Sequence, residues 1–102
     1  MAKQNEIRLF FEREGSFARL IRIDGEKIEK SVHITHDLVE VAIRPGITVG
    51  LEVCRKSRKT LVRVLDRNGK EIQERAFKRH WTCRLPVHKL TGFLSQGLLR
   101  NK

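Results

Sequence analysis

Hydrophobic and polar residues alternate with a period of two along most of the chain, a pattern typical of strands with one buried face. The alternating segments are residues 7–12, 17–24, 27–35, 38–43, 47–54, 60–66 and 70–77, and residues 81–85 extend the last of them. Turn signals separate the segments, because Asp24-Gly25 and Asn68-Gly69 favour tight hairpins and Pro45-Gly46 interrupts the middle of the chain. The pattern therefore predicts a succession of antiparallel strands.

The spacing changes after Pro86, where Val87, Leu90, Leu94 and Leu98 follow helical spacing. We therefore expect a mainly β fold, with six or seven strands in an antiparallel curled sheet or small barrel and a short C-terminal helix. At 102 residues, 39% of them hydrophobic, the chain is expected to form a single basic β-rich domain over residues 1–102.

Two of the expected hairpins resemble each other. Residues 22–32 and 64–77 share an apolar residue before aspartate, a glycine turn, an isoleucine after the turn and a charged run. An internal duplication would produce this similarity, and so would turn chemistry combined with strand alternation. Only the second hairpin adds cations without matching acids, at Arg75, Lys78 and Arg79.

Charge is distributed unevenly along the chain, whose formal net charge is +10. Residues 1–52 carry eight Lys or Arg and nine Asp or Glu, whereas residues 53–84 carry eleven Lys or Arg and three Asp or Glu. The excess positive charge therefore lies in the second half, which indicates a polyanionic or acidic partner.

The hairpin within residues 63–81 is expected to gather this charge. A hairpin brings its open ends together, so the basic loop at residues 55–59 should lie beside Lys78 and Arg79. Trp81 would either anchor the core or stack on an unpaired base. The predicted polyanion-binding residues are Arg55, Lys56, Arg58, Lys59, Arg75, Lys78, Arg79, Trp81 and Arg84.

Two functions fit this surface. The leading hypothesis is a non-enzymatic protein that binds nucleic acid, DNA or RNA, through the basic loop and the hairpin end. The alternative is a small regulatory or inhibitory module that binds an acidic surface of a larger protein, such as a nucleic-acid-processing enzyme, because Arg and Trp commonly anchor protein interfaces. Exposed sheet edges would also allow a homodimer.

The sequence contains no motif for catalysis or metal binding. No serine lies in a nucleophile elbow, and no glycine-rich phosphate loop is present. The candidate metal ligands are His33, His36, Cys54, His80, Cys83 and His88, which we interpret as scattered histidines and free thiols, so no metal or cofactor is expected. The sequence also shows no secretory signal and no membrane-length apolar run, so we expect a cytoplasmic protein with reduced cysteines.

Overall fold

The computed structural model describes residues 6–90, which form eight antiparallel strands in two four-stranded sheets. The strands are β1 (Glu6–Glu14), β2 (Phe17–Ile23), β3 (Glu26–Ile34), β4 (Val39–Arg44), β5 (Ile47–Lys56), β6 (Lys59–Leu65), β7 (Glu71–Ala76) and β8 (His80–Pro86). The first sheet has the strand order β3-β2-β1-β8, and the second has the order β4-β5-β6-β7. The two sheets pack face to face as a sandwich.

The core lies between the sheets and is built from the alternation that predicted the strands. Every second residue of the central strands is buried, whereas its neighbours are partly exposed. Burying one such aliphatic or aromatic side chain contributes about 1.5–3 kcal/mol. The large side chains with the least exposure are Phe11, Ile7, Leu9, Leu20, Ile34, Leu51, Leu85, Val49, Val53, Val62, Val64 and Cys83.

The mainly β, antiparallel class is confirmed, but the prediction of one curled sheet or barrel with six or seven strands is wrong. Residues 81–85 do not extend the preceding strand. β7 ends at Ala76, the chain crosses to the other sheet, and β8 pairs with β1, with Trp81 opposite Phe11. Alternation is the same whichever sheet a strand joins, so it does not reveal such a crossing.

A short helical segment follows β8. Residues 87–90 are helical, Leu90 is buried, and Val87 packs against the core. A short helix after Pro86 is therefore confirmed. The predicted helix positions Leu94 and Leu98 lie outside the described residues.

Two hairpin turns form where the sequence predicts them. Asp24 and Gly25 have φ angles of 55° and 88°, the two left-handed conformations of a type I′ turn. In the β6–β7 turn Gly69 is left-handed, with a φ of 85°. There the Asp66 carboxylate accepts hydrogen bonds from the backbone N–H groups of Asn68 and Lys70, at 2.8 and 2.9 Å. Left-handed backbone conformations therefore form the first reversal, and the Asp66 side chain also stabilises the second.

The two halves of the described chain have the same topology. Strands β1–β3 form a meander in one sheet and β4 crosses to pair with β5, whereas β5–β7 form a meander in the other sheet and β8 crosses to pair with β1. The register agrees, because Phe11 pairs with Leu20 and Val53, 42 positions later, pairs with Val62. The similarity between the hairpins thus extends to both four-strand halves, as a duplication predicts. Each half ends at one open side of the sandwich, between β3 and β4 or between β7 and β8.

Candidate nucleic-acid interface

The basic segment at residues 55–59 is a tight hairpin tip, not the loop that the sequence suggests. β5 continues through Arg55 and Lys56, β6 begins at Lys59, and Lys56 pairs with Lys59 across the hairpin. Only Ser57 and Arg58 form the turn. We call residues 55–59 the basic tip; its four cations extend from two adjoining strand ends.

The turn of the basic tip has a strained backbone. Ser57 and Arg58 have φ angles of 52° and 67°, left-handed values that Asn and Gly usually supply in a type I′ turn. Each such conformation costs a non-glycine residue roughly 1–3 kcal/mol. In the first half, the equivalent β1–β2 turn has Gly15, with a φ of 62°, at the position that matches Ser57. The second half therefore keeps bulkier residues where glycine would relieve strain.

The connection between β7 and β8 lies at the same end of the sandwich as the basic tip. The Phe77 N–H donates a hydrogen bond to the carbonyl oxygen of Thr60, next to Lys59, at 3.1 Å. The carbonyl oxygen of Arg79 accepts a hydrogen bond from the Arg13 N–H at 2.9 Å. These two bonds fix the backbone on either side of Lys78, whose exposed side chain is held close to the start of β6.

A cleft of about 520 Å³ opens between β7 and β8, the edge strands of the two sheets on this side of the molecule. Gln73 Nε2 donates a hydrogen bond to the carbonyl oxygen of Arg84 at 3.1 Å and so bridges the two edges. The lining residues are Arg75, Ala76, Lys78, His80, Trp81, Thr82 and Arg84. We call it the basic cleft, because three of these residues are Lys or Arg and none is Asp or Glu.

Arg84 reaches the basic cleft from the opposite sheet. The predicted position of Arg84 at the end of the hairpin's return strand is wrong, because β8 belongs to the other sheet. Arg75 lies on β7 at an inward position opposite Val62. Arg84 alternates with the buried Cys83 and Leu85 and so lies on the outer face of its sheet. Each sheet therefore contributes one arginine to the cleft. His80 and Thr82 also line the cleft and were not predicted; their alternation with buried residues of β8 is the signal that could have identified them.

Arg75 extends toward the core, close to the Cys83 thiol. Burial raises the pKa of Cys83 to about 11, while the nearby Arg75 guanidinium and the Trp81 indole act in the opposite direction. Cys83 has no exposed surface, so it is a neutral thiol at neutral pH. Arg75 also donates a hydrogen bond from Nε to Gln73 Oε1 at 3.4 Å, and its exposed side chain lines the cleft.

Most cations of the basic tip and basic cleft form no ion pair with any described residue. Lys56 is the exception, with Nζ at 3.4 Å from Glu74 Oε1. Partial burial opposes ionisation of Glu74, but Lys56 and Arg63 outweigh this effect and hold its pKa below the usual value. The predicted residues without a carboxylate partner in the described chain are Arg55, Arg58, Lys59, Arg75, Lys78, Arg79 and Arg84.

Trp81 is a core residue. Its side chain is 8% exposed, and its ring centroid lies 5.4 Å from that of Phe11 in a stacked arrangement and 5.3 Å from that of Phe77. Its Nε1 is buried and has no hydrogen-bond acceptor in the described part of the chain, apart from the neighbouring Cys83 thiol, which is a weak one. Of the two roles that the sequence allows for Trp81, the structure supports the core anchor rather than the stacking platform.

The opposite side of the sandwich, between β3 and β4, has a groove with balanced charge. This groove of about 450 Å³ is lined in part by Asp24, Glu26, Lys27 and Arg44, and Arg44 Nη2 lies 2.9 Å from Asp24 Oδ2. Burial opposes ionisation of Asp24, but hydrogen bonds from the Arg8 amide and from Arg44 outweigh it and lower its pKa. This groove therefore neutralises part of its charge internally, whereas the positions 42 residues before Arg75, Lys78 and Arg84 of the basic cleft are occupied by His33, His36 and Ala42.

The candidate metal ligands do not converge. His33 Nδ1 lies 3.3 Å from Glu14 Oε1, and His36 Nδ1 lies 3.1 Å from the carbonyl oxygen of Val53. Within residues 6–90, no three His, Cys, Asp or Glu side chains come together in an arrangement that could hold a metal ion. Over the same range no helix has the length and hydropathy of a membrane span.

Geometry and charge are therefore the guides to function. Comparison of this chain with models of known protein families, with curated proteins and with solved structures gives no match.

Proposed function

We propose that this protein binds nucleic acid without catalysing a reaction, and that the basic tip and basic cleft contact the phosphate backbone. The difference between the two halves carries the proposal. Residues 6–44 carry seven Lys or Arg and eight Asp or Glu, whereas residues 47–86 carry eleven Lys or Arg and four Asp or Glu on the same topology. The fold itself makes the same demands on both halves, so it does not account for the excess of cations in the second.

Affinity would derive mainly from counterion release. Each phosphate that a Lys or Arg neutralises releases condensed cations, so log K falls with log salt by about 0.7 per contact on a single strand and about 0.9 on a duplex. The seven cations of the predicted site that have no acidic partner among the described residues set the scale for the number of these contacts. Contacts to phosphates carry no base information, so binding should tolerate most sequences.

Removing three exposed cations from the site tests the proposal. The combined variant Arg58→Gln, Lys78→Gln and Arg84→Gln is expected to weaken binding of a labelled oligonucleotide at least ~10-fold and to lower the salt slope by about two. Fluorescence anisotropy between about 50 and 200 mM salt measures both quantities. The label belongs on the oligonucleotide, because the only tryptophan is buried in the core.

The matched control changes Arg22, Lys27 and Lys30 to Gln, which removes the same charge from equally exposed positions in the first half. This control is expected to bind nearly as tightly as the wild type. Equal losses in the two variants would make binding a matter of net charge alone and contradict the proposal. No binding by the wild type at about 50 mM salt would overturn it in favour of an acidic protein partner.

A further inference from the structure

The basic cleft differs from the basic tip because its cations come from the edge strands of two different sheets and from the connection between them. Arg75 comes from β7 and Arg84 from β8, and Lys78 lies on the connection that joins these two strands. Cα atoms of β7 and β8 approach to within 8 Å, and the Gln73–Arg84 hydrogen bond spans the two edges, so the cleft is narrow. A ligand along the cleft would be contacted by guanidinium groups from both edge strands.

We infer that the basic cleft holds a single strand of DNA or RNA by its sugar–phosphate backbone, an assignment that rests on the proposed function. The major groove of a duplex alone is about 12 Å wide, so a whole duplex exceeds the spacing of the walls and could touch only the rim. A single strand could instead follow the two edge strands. Guanidinium groups bind phosphate oxygens through paired hydrogen bonds, so Arg75 on β7 and Arg84 on β8 would each hold that strand.

Backbone groups of β8 strengthen the assignment. The carbonyl oxygen of Arg84 points away from β1, because it accepts its hydrogen bond from Gln73 on β7. Alternate residues of an antiparallel strand direct their N–H and C=O groups to the same edge, so the Thr82 N–H also faces the cleft. Backbone N–H groups and threonine hydroxyls are common donors to phosphate. Residue 82 therefore adds neutral donors between the two arginines.

The cleft supplies little base stacking. The aromatic side chains that line the cleft are those of Trp81 and His80, and the Trp81 ring is stacked on Phe11. Stacking on exposed aromatic rings is what usually adds about 1–3 kcal/mol per base in single-strand binding. We therefore expect binding through the backbone, with the bases facing solvent and with little preference among sequences.

Competition between a single strand and its duplex tests this assignment. Oligothymidylate of about 15 nucleotides is expected to bind at least ~10-fold more tightly than the same strand annealed to its complement, since only the single strand enters the cleft. Arg75→Gln with Arg84→Gln should lower single-strand affinity at least ~10-fold, and duplex affinity by less than about 3-fold. The matched control, Arg58→Gln with Lys59→Gln in the basic tip, removes the same charge and should weaken both forms alike.

Thr82→Glu gives a second measurement that keeps all the arginines and the core intact. It introduces a negative charge into the cleft and should weaken single-strand binding selectively, while circular dichroism and thermal unfolding report whether each variant is folded. A duplex that binds as tightly as the single strand, or cleft variants with unchanged single-strand affinity, would overturn the assignment but leave the proposed function standing. Failure of both nucleic acids to bind the wild type would instead overturn the proposed function.

Discussion

The residues of β7 show how one β-strand can face both the core and the basic cleft. Gln73 and Arg75 pair with Val64 and Val62, so they occupy positions that point between the sheets, where the central strands carry apolar residues. An edge strand tolerates this arrangement because its inward positions reach the open side of the sandwich. A charged residue at an inward position of a strand therefore indicates an edge strand at the open side of the sandwich. Arg75 is such a residue, and its guanidinium lies near the buried Cys83 thiol.

Cys83 predicts a loss of stability at alkaline pH. An unfolded cysteine has a pKa of about 8.5, whereas burial raises the pKa of Cys83 in the folded protein to about 11. Between these values only the unfolded chain loses the thiol proton, so this contribution is complete below about pH 8.5 and falls by up to about 1.4 kcal/mol per pH unit as the pH rises. Urea unfolding between about pH 8 and pH 10.5 measures the change.

The control uses the other thiol. Cys83→Ala should show a smaller decrease in unfolding free energy over this pH range than the wild type, whatever its stability at pH 8. Cys54→Ala, which changes a half-buried thiol on the outer face of β5, should keep the decrease. If the wild type and Cys83→Ala depend on pH in the same way, the thiol is not the titrating group.

At the scale of elements, the β5–β6 hairpin combines strain with charge. Glycine at either turn position would remove the cost of a left-handed conformation, which is roughly 1–2 kcal/mol. The greater conformational freedom of glycine in the unfolded chain offsets about 0.4–1 kcal/mol of this gain in stability. Strained residues that persist in a structure are often found at functional sites. Under the proposed function, Arg58 is the residue of this turn that would contact phosphate.

Two glycine substitutions separate strain from function in the basic tip. Ser57→Gly and Arg58→Gly should each raise the free energy of unfolding by about 0.5–1 kcal/mol, measured by urea unfolding. Ser57→Gly should bind oligonucleotide as the wild type does, whereas Arg58→Gly should bind several-fold more weakly because it loses one phosphate contact. Wild-type affinity in Arg58→Gly would place the basic tip outside the interface.

The sequence predicts the strands better than their arrangement. Alternation locates β1 to β7, and Asp24-Gly25 identifies a turn whose φ angles confirm it. The Ser57-Arg58 turn escapes prediction because it contains neither Asn nor Gly. The sequence proposes which charged residues form the site, but the position of Arg84 on the other sheet depends on the crossing after Ala76, and the period-two pattern does not show that crossing.

At the scale of the whole molecule, a twofold repeat of structure carries an uneven charge. Both open sides of the sandwich are built from equivalent strands, yet Arg75, Lys78 and Arg84 on one side correspond to His33, His36 and Ala42 on the other. Such a distribution gives the molecule one positive side, which orients it toward a polyanion before contact. The architecture alone would offer two equivalent sites, whereas the charges leave one.

The number of nucleic-acid strands bound per protein chain distinguishes two equivalent sites from a single site. With a single strand of about 8 nucleotides at about 50 mM salt, we expect one strand per chain, because carboxylates in the β3–β4 groove repel phosphates while the basic cleft attracts them. Native mass spectrometry or calorimetric titration gives the ratio directly. The Arg75→Gln, Arg84→Gln variant should bind the strand at least ~10-fold more weakly and gain no second site, since the β3–β4 groove offers no replacement. Two strands per chain in the wild type would mean that topology, and not the uneven charge, determines where nucleic acid binds.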